Sequence, residues 1–357
     1  MRKLMFIAGE ASGDANAAPI VAALREKAEV FGAGGPKMKA AGMELLLDLT
    51  EHAVVGLVEV LKNYGKFRRI FWELVREAER RRPDAVVLVD FPGFNLRFAK
   101  QMKRRGIKVI YYISPQLWAW HASRAKQIAR DVDLMLTIFP FEKAWYAERA
   151  PKLRVEFVGH PMTERLEDGR GAMREERLVL LLPGSREREV AKLWPVMCRV
   201  VEQMPADVEF VAAAVNESMA GMMQHPRVKV EVGGAHRLMQ RATLAITASG
   251  TATMECAFSR CPMIVVYKVN WLTYLVGRWL VTVDWLGMPN VIAGREIVPE
   301  FIQHRARPDR IAAIAGELLR DSARRSAMQR ELAVIVEKLG GAGTSHRAAE
   351  LIVQEIG

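Results

Sequence analysis

The sequence predicts an α/β fold class: two Rossmann-like, doubly wound parallel-sheet domains facing a central cleft. Three observations lead there. Short, continuous Val/Ile/Leu runs alternate with amphipathic, charge-bearing segments, and unbroken apolar runs mark strands covered on both faces. That rhythm stops once, near residues 160–176, and restarts. Segments rich in glycine, hydroxyls and charge follow directly on the apolar runs, where doubly wound sheets bind their ligands.

In chain order, residues 4–8 are read as a buried strand and 15–27 as the helix after it. Residues 85–89 form the next strand, a helix follows near 96–105, and 108–113 is a further strand. Gly159-His160-Pro161 closes this series, and residues 164–176 are charged and contain glycine. Residues 178–182 open a second series, continued by strands at 208–213, 244–247 and 263–266. The expected domains are therefore 1–165 and 166–357, with the Arg/Ala/Leu-rich helices from Pro308 onward able to cross back over the first. At roughly 100–200 residues per domain, two domains suit the chain's length of 357.

Composition narrows the function. Half of the residues are hydrophobic, which excludes disorder over most of the chain. The net charge of +11 favours a negatively charged partner: a phosphate-bearing substrate, nucleic acid or an anionic membrane. No zinc-finger spacing or aromatic-studded RNA-binding signature is present, so nucleic acid is not expected. Three scattered cysteines give no disulfide framework and suit a reducing compartment. Cys256 and Cys261 have no His pair near them, so neither a metal site nor a cofactor is expected. Arg2 and Lys3 precede only about five apolar residues before Glu10 and Asp14, unlike a secretory signal. Residues 54–61 are too few to span a bilayer, and Arg278 and Asp284 interrupt residues 271–288.

Five segments carry candidate chemistry, and each also admits a purely structural reading. Ala8-Gly9-Glu10-Ala11-Ser12-Gly13-Asp14 follows the first strand and suits a tight turn presenting N–H groups to a ligand, or a capped strand-to-helix turn. The glycine run from Gly32 to Gly35 is read as a structural turn. Asp90-Phe91-Pro92-Gly93-Phe94-Asn95 puts a carboxylate at a strand's carboxyl end, placed for a general base or for capping a helix. Ile113-Ser114-Pro115-Gln116-Leu117-Trp118-Ala119-Trp120-His121 offers an apolar wall for sugar rings or acyl chains, or simple core aromatics. Pro183-Gly184-Ser185-Arg186 lets the backbone approach a phosphate that Arg186 grips. Ser249-Gly250-Thr251 opens a helix with free N–H groups, and Glu255 falls one turn in, within reach of a ribose. The last two segments together describe a diphosphate site that needs no metal.

Seven segments, AGEASGD (8–14), DFPGFN (90–95), YYISPQLWAW (111–120), FVGHP (157–161), LLPGSR (181–186), ASGTATME (248–255) and MPN (288–290), resemble the bacterial lipid-A-disaccharide synthases, in order over nearly the whole chain. Met254 and Met288 stand where Leu is expected, a conservative departure. The resemblance implies the GT-B fold, with an N-terminal acceptor domain and a C-terminal UDP-sugar domain. It implies UDP-2,3-diacylglucosamine as donor and 2,3-diacylglucosamine 1-phosphate (lipid X) as acceptor, giving the β(1→6) disaccharide 1-phosphate and UDP with inversion. It casts Asp90 as the base, and Glu10, Ser12, Gly13, Asn95, Gln116, Trp118 and His121 as contacts to the sugars and acyl chains. Gly184, Ser185, Arg186, Ser249, Gly250, Thr251, Glu255 and Asn290 would bind UDP.

Acylated substrates give a meaning to Val54, Val55, Leu57, Val58, Val60 and Leu61, which would enter the bilayer interface, while Lys62, Lys66, Arg68 and Arg69 meet anionic headgroups. The expected location is the cytoplasmic face of the inner membrane, peripherally bound, and a homodimer stays open. Between Lys62 and Arg82 stand eight basic and three acidic residues; the alternative to the membrane reading is a core helix with a solvated basic face. Other UDP-sugar enzymes of the same architecture remain alternatives, among them a peptidoglycan N-acetylglucosaminyltransferase and a sugar-nucleotide epimerase. A non-catalytic lipid- or nucleotide-binding protein is a third reading.

Overall fold

In β1 (Arg2–Ala8) the side chains of Leu4 through Ala8 are all fully buried, on both faces of the strand. Met5 and Ile7 join one apolar cluster with Val86, Leu88, Val109, Tyr111 and Met135, and Leu4 and Phe6 point to the other face. A strand buried on both sides belongs in the middle of a parallel sheet. The computed structural model that shows this describes residues 1–51, 64–166, 169, 171–270 and 283–357.

The chain divides into two compact units, Met1–Pro161 with Leu339–Gly357, and Met162–Lys338. In the first, β2 (Ala28–Gly34), β3 (Glu44–Asp48), β4 (Ala85–Val89), β5 (Lys108–Tyr112), β6 (Leu134–Thr137) and β7 (Arg154–Phe157) join β1. All pairs are parallel, in the order β3-β2-β1-β4-β5-β6-β7. Helices Ala11–Leu24, Tyr64–Arg81, Pro92–Arg104, Ala125–Asp131 and Pro140–Arg149 connect them, and Thr344–Ile356 packs on Ala11–Leu24.

The second unit repeats the plan. Its strands are β8 (Glu175–Leu182), β9 (Glu209–Ala214), β10 (Val228–Val232), β11 (Ala242–Ala248), β12 (Met263–Tyr267) and β13 (Glu300–Ile302), all parallel in the order β10-β9-β8-β11-β12-β13. Helices Glu187–Gln203, Thr251–Phe258, Pro308–Arg320 and Ser322–Lys338 flank it. The two parallel α/β sheets of the expected fold class are present, each doubly wound.

In each sheet the strand order reverses at one neighbouring pair, β1 beside β4 and β8 beside β11. Ala8 lies opposite Val89 and Leu182 opposite Thr247. The loops leaving each pair therefore start side by side, at the position where doubly wound sheets hold ligands.

Two local expectations are corrected. The first helix begins at Ala11, not at residue 15, because Glu10 is an extended cap (φ −133°, ψ 157°) and the Asp14 N–H already reaches the Glu10 carbonyl at 2.9 Å. The turn is thus only Gly9 and Glu10, and Ser12 and Gly13 lie in the first helical turn. Gly32 and Gly34 are not a turn but the end of β2. A Cβ on Gly32, at φ +148°, would stand 2.0 Å from the Phe6 carbonyl oxygen, so glycine is what lets β2 lie against β1 there.

Candidate active site

In the first unit the candidate residues converge on the ends of β1 and β4. Asp90 (φ 46°) and Phe91 (φ 50°) are consecutive left-handed residues, each costing about 1–2 kcal/mol against the ordinary right-handed form. Ile113 and His121, in the loop after β5, are also left-handed, at 65° and 60°. Four of the eight described non-glycine residues with positive φ thus lie in two adjacent loops. Such strain persists where surrounding contacts impose it, and it concentrates at functional sites.

The contacts that impose it are visible. The Asp90 N–H donates to the Tyr112 carbonyl at 2.9 Å. The Asp90 carbonyl accepts from the Asn95 amide at 2.8 Å and from the Tyr111 hydroxyl at 2.7 Å. Asn95 also donates to Val89 O at 3.2 Å and Ile7 O at 3.5 Å, lacing β1 to β4. The Asn95 side chain is fully buried, so it fixes the backbone of this turn. Gly9 leaves room for Phe91: a Cβ there would lie 2.2 Å from the Phe91 ring.

Burial, aided by the Glu10 carboxylate and partly opposed by the Phe91 N–H, pushes the Asp90 carboxyl up to about 6. A carboxylate with that value is ionised at neutral pH yet a better proton acceptor than an ordinary aspartate. Glu10 and Ser12 are exposed at this end of the sheet, and Gly13 is buried in the helix start. Asp14 serves structure: its carboxylate accepts the N–H groups of Gly35, Lys37 and Met38, each at 3.0 Å, and so caps the helix Pro36–Ala40.

The loop after β5 divides its two tryptophans. Trp118 is buried, donates its indole N–H to Glu142 at 3.2 Å, and packs edge-on against Phe139 and Phe141. Trp120 is 48% exposed with its ring beside His121, and Gln116 is exposed too. Gln116 and Trp120 are thus the exposed members of this loop, with His121 half-buried beside Trp120, and Trp118 anchors the loop from below. Glu142 is fully buried, and burial raises its carboxyl to about 7 against the N–H donors of Phe139 and Trp118.

In the second unit Gly184, at φ +130°, turns the chain out of β8. The Ser185 N–H donates to Glu189 at 3.0 Å, and Arg186, itself 78% exposed, pairs with the same carboxylate at 3.3 Å. Glu189 thus takes the Ser185 and Arg186 donors that the sequence reading offered to a phosphate. After β11, Ser249 donates to Leu286 O at 2.8 Å, and Gly250 and Thr251 are exposed at the start of the helix Thr251–Phe258. Burial raises the Glu255 carboxyl, opposed by His236 and Arg165. Asn290 is fully buried: its amide donates to Val298 O and Glu300, and its oxygen accepts from the N–H groups of Ile297 and Val298. It fixes the loop that runs from Ile297 to Glu300.

Val54, Val55, Leu57, Val58, Val60, Leu61 and Lys62 lie outside the described residues. Lys66, Arg68 and Arg69 are exposed on the helix Tyr64–Arg81, which buries Ile70, Leu74, Val75 and Ala78. No helix of the described residues is long and apolar enough to cross a membrane.

Tyr111, Glu142 and Glu189 were missed by sequence reasoning. Tyr111 sits inside an apolar run that reads as core, and Glu142 on an ordinary amphipathic helix. Glu189 carried a usable signal, since four residues after Ser185 is one helical turn.

A family model described as Lipid-A-disaccharide synthetase matches residues 4–356. A lipid-A-disaccharide synthase of Geobacter sulfurreducens is 41% identical over 99% of this chain and 97% of its own length. One of Geobacter metallireducens is 38% identical over 100% and 98%. Among solved structures, S. aureus MnaA in a co-structure with UDP aligns with a TM-score of 0.66 at 14% identity, covering 100% of this chain and 97% of that one. Acinetobacter baumannii MurG aligns with a TM-score of 0.59 at 11% identity, covering 99% and 100%. These two show a shared fold.

Proposed function

The chain belongs to the lipid-A-disaccharide synthase family, and from that premise we propose how its residues carry out the reaction. It is a UDP-sugar glycosyltransferase of lipid A disaccharide synthesis, acting on a UDP-sugar donor and a lipid acceptor. In our reading the donor is UDP-2,3-diacylglucosamine and the acceptor 2,3-diacylglucosamine 1-phosphate. The acceptor 6-hydroxyl oxygen bonds to the donor's anomeric carbon from the face opposite UDP. The bond from that carbon to the β-phosphate oxygen breaks, UDP leaves with the electron pair, and the anomeric centre inverts. Asp90 takes the hydroxyl proton.

The observation that carries this assignment is Asp90 itself: a strained, partly buried carboxylate at the end of β4, held near 6 by burial and by Glu10. Glu10, Ser12, Gly13, Gln116, Trp120 and His121 would line the acceptor side. Trp118 and Asn95 hold that lining in place through Glu142 and the β1–β4 turn. In the second unit Gly184, Ser185, Gly250 and Thr251 would present N–H groups to the diphosphate. Arg186 would exchange its pairing with Glu189 for the leaving phosphate, stabilising charge as it develops. Ser249 and Asn290 shape that loop, and Glu255 would accept the ribose hydroxyls.

Because the substrates are acylated, we assign the exposed Lys66, Arg68 and Arg69 to contact with an anionic membrane surface, at the cytoplasmic face of the inner membrane.

Mass spectrometry of the products tests the substrate assignment. Incubation with the two acylated glucosamines is expected to yield the disaccharide 1-phosphate and UDP in equal amounts. Equal turnover of non-acylated UDP-N-acetylglucosamine would overturn it.

A further inference from the structure

The carbonyl oxygen of Asp90 accepts two side-chain hydrogen bonds, one from Asn95 and one from the Tyr111 hydroxyl at 2.7 Å. Tyr111 is fully buried in β5, where it pairs with Leu88, two residues before Asp90. Its ring belongs to the apolar cluster beneath this end of the sheet. A buried phenol needs a partner for its hydroxyl, and many would serve. Here the partner is the backbone of the residue whose carboxylate is to take the proton, at a left-handed φ of 46° that is disfavoured against the right-handed form. The neighbouring left-handed Phe91 and Ile113 leave this turn little slack.

We propose that Tyr111 is a positioning residue: its hydroxyl, donated to the Asp90 carbonyl from a fully buried side chain, sets the direction in which the Asp90 carboxylate is presented. The inference rests on the reading of Asp90 as the base. Burial and the nearby Asp90 charge hold the Tyr111 phenol above its ordinary range, so it stays a donor throughout the working pH. Asn95 supports the same carbonyl from the opposite element, Pro92–Arg104, and spans to β1. Tyr111 ties the turn to β5 instead. Losing either tie lets the turn relax in a different direction, and a misplacement of about 1 Å is enough to slow a reaction by about a hundredfold.

The test compares three chains with the native one: Tyr111→Phe, Tyr111 replaced by 4-aminophenylalanine, and Asp90→Asn. Each is checked for fold by circular dichroism and for UDP affinity by calorimetry. Tyr111→Phe is expected to lower kcat about 10- to 100-fold with both KM values and UDP affinity unchanged. It is also expected to move the acid limb of the kcat profile. The amino analogue keeps a weaker donor and is expected to fold, with kcat between those of the Phe and native chains. A merely structural hydroxyl would lower the melting temperature and leave kcat per folded molecule and the pH limb where they are. Native kcat in folded Tyr111→Phe, with Asp90→Asn inactive, overturns the positioning role and keeps the base. Native kcat in Asp90→Asn overturns the base itself. Should Tyr111→Phe fail to fold, 4-fluorophenylalanine at position 111, which fills the space without a donor, takes its place: native kcat in the folded chain overturns the proposal and a reduced kcat with unchanged KM supports it.

Discussion

Asp90 shows how a single residue's chemistry is set by its surroundings. Burial opposes its charge, Glu10 opposes it further, and the Phe91 N–H favours it, with a balance near 6. A base is useful only above its own value, so turnover is expected to fall as pH drops through about 6. Replacing Glu10 by Gln removes a neighbouring negative charge, so Asp90 should ionise more readily. The acid limb of kcat/KM for Glu10→Gln should therefore lie at lower pH than the native limb, measured from about pH 4.5 to 8. A limb in the native place would mean that a different group titrates there. The sequence made Asp90 a candidate because it directly follows an apolar strand. It did not disclose the left-handed pair, since Phe91 is a residue that ordinarily avoids that conformation and only tertiary contacts impose it.

At the scale of elements, the helix Tyr64–Arg81 buries Ile70 and Leu74 and turns Lys66, Arg68 and Arg69 outward. The basic excess was legible in the sequence, where a core helix with a solvated face stood as the alternative reading. Substituting the three basic residues by Gln should leave the fold intact and weaken binding to anionic vesicles at least about tenfold in low salt. Native binding that is equal in low and high salt would remove this role. Elements that escaped the sequence reading are β2, β3, β6, β7, β10 and β13. Most are short, and β2 carries two glycines that resemble a turn until Phe6 is seen lying against Gly32. The loop after β5 was legible as aromatic. Which tryptophan faces outward was decided by Glu142, a partner more than twenty residues away in sequence.

Across the whole molecule, one plan occurs twice. Each sheet reverses its strand order at one pair, and each pair is followed by residues we assign to chemistry: Glu10 and Asp90 in one unit, Gly184, Arg186 and Gly250 in the other. The alternation of apolar runs made this organisation legible, because parallel strands buried on both faces carry no polar alternation. The sequence allowed the helices from Pro308 onward to cross back over the first domain; only Leu339–Gly357 groups with the first unit, and the point of return was not legible. An amphipathic helix shows that it has an apolar face, not which sheet will cover it. The central claim is that a carboxylate at the end of β4 takes the acceptor's proton. Turnover of the two acylated substrates by Asp90→Asn, with UDP affinity measured on the same preparation, tests it most directly. The expected result is a loss of about 10²–10⁴ in kcat with UDP bound as tightly as before. Turnover within a few-fold of native would contradict it.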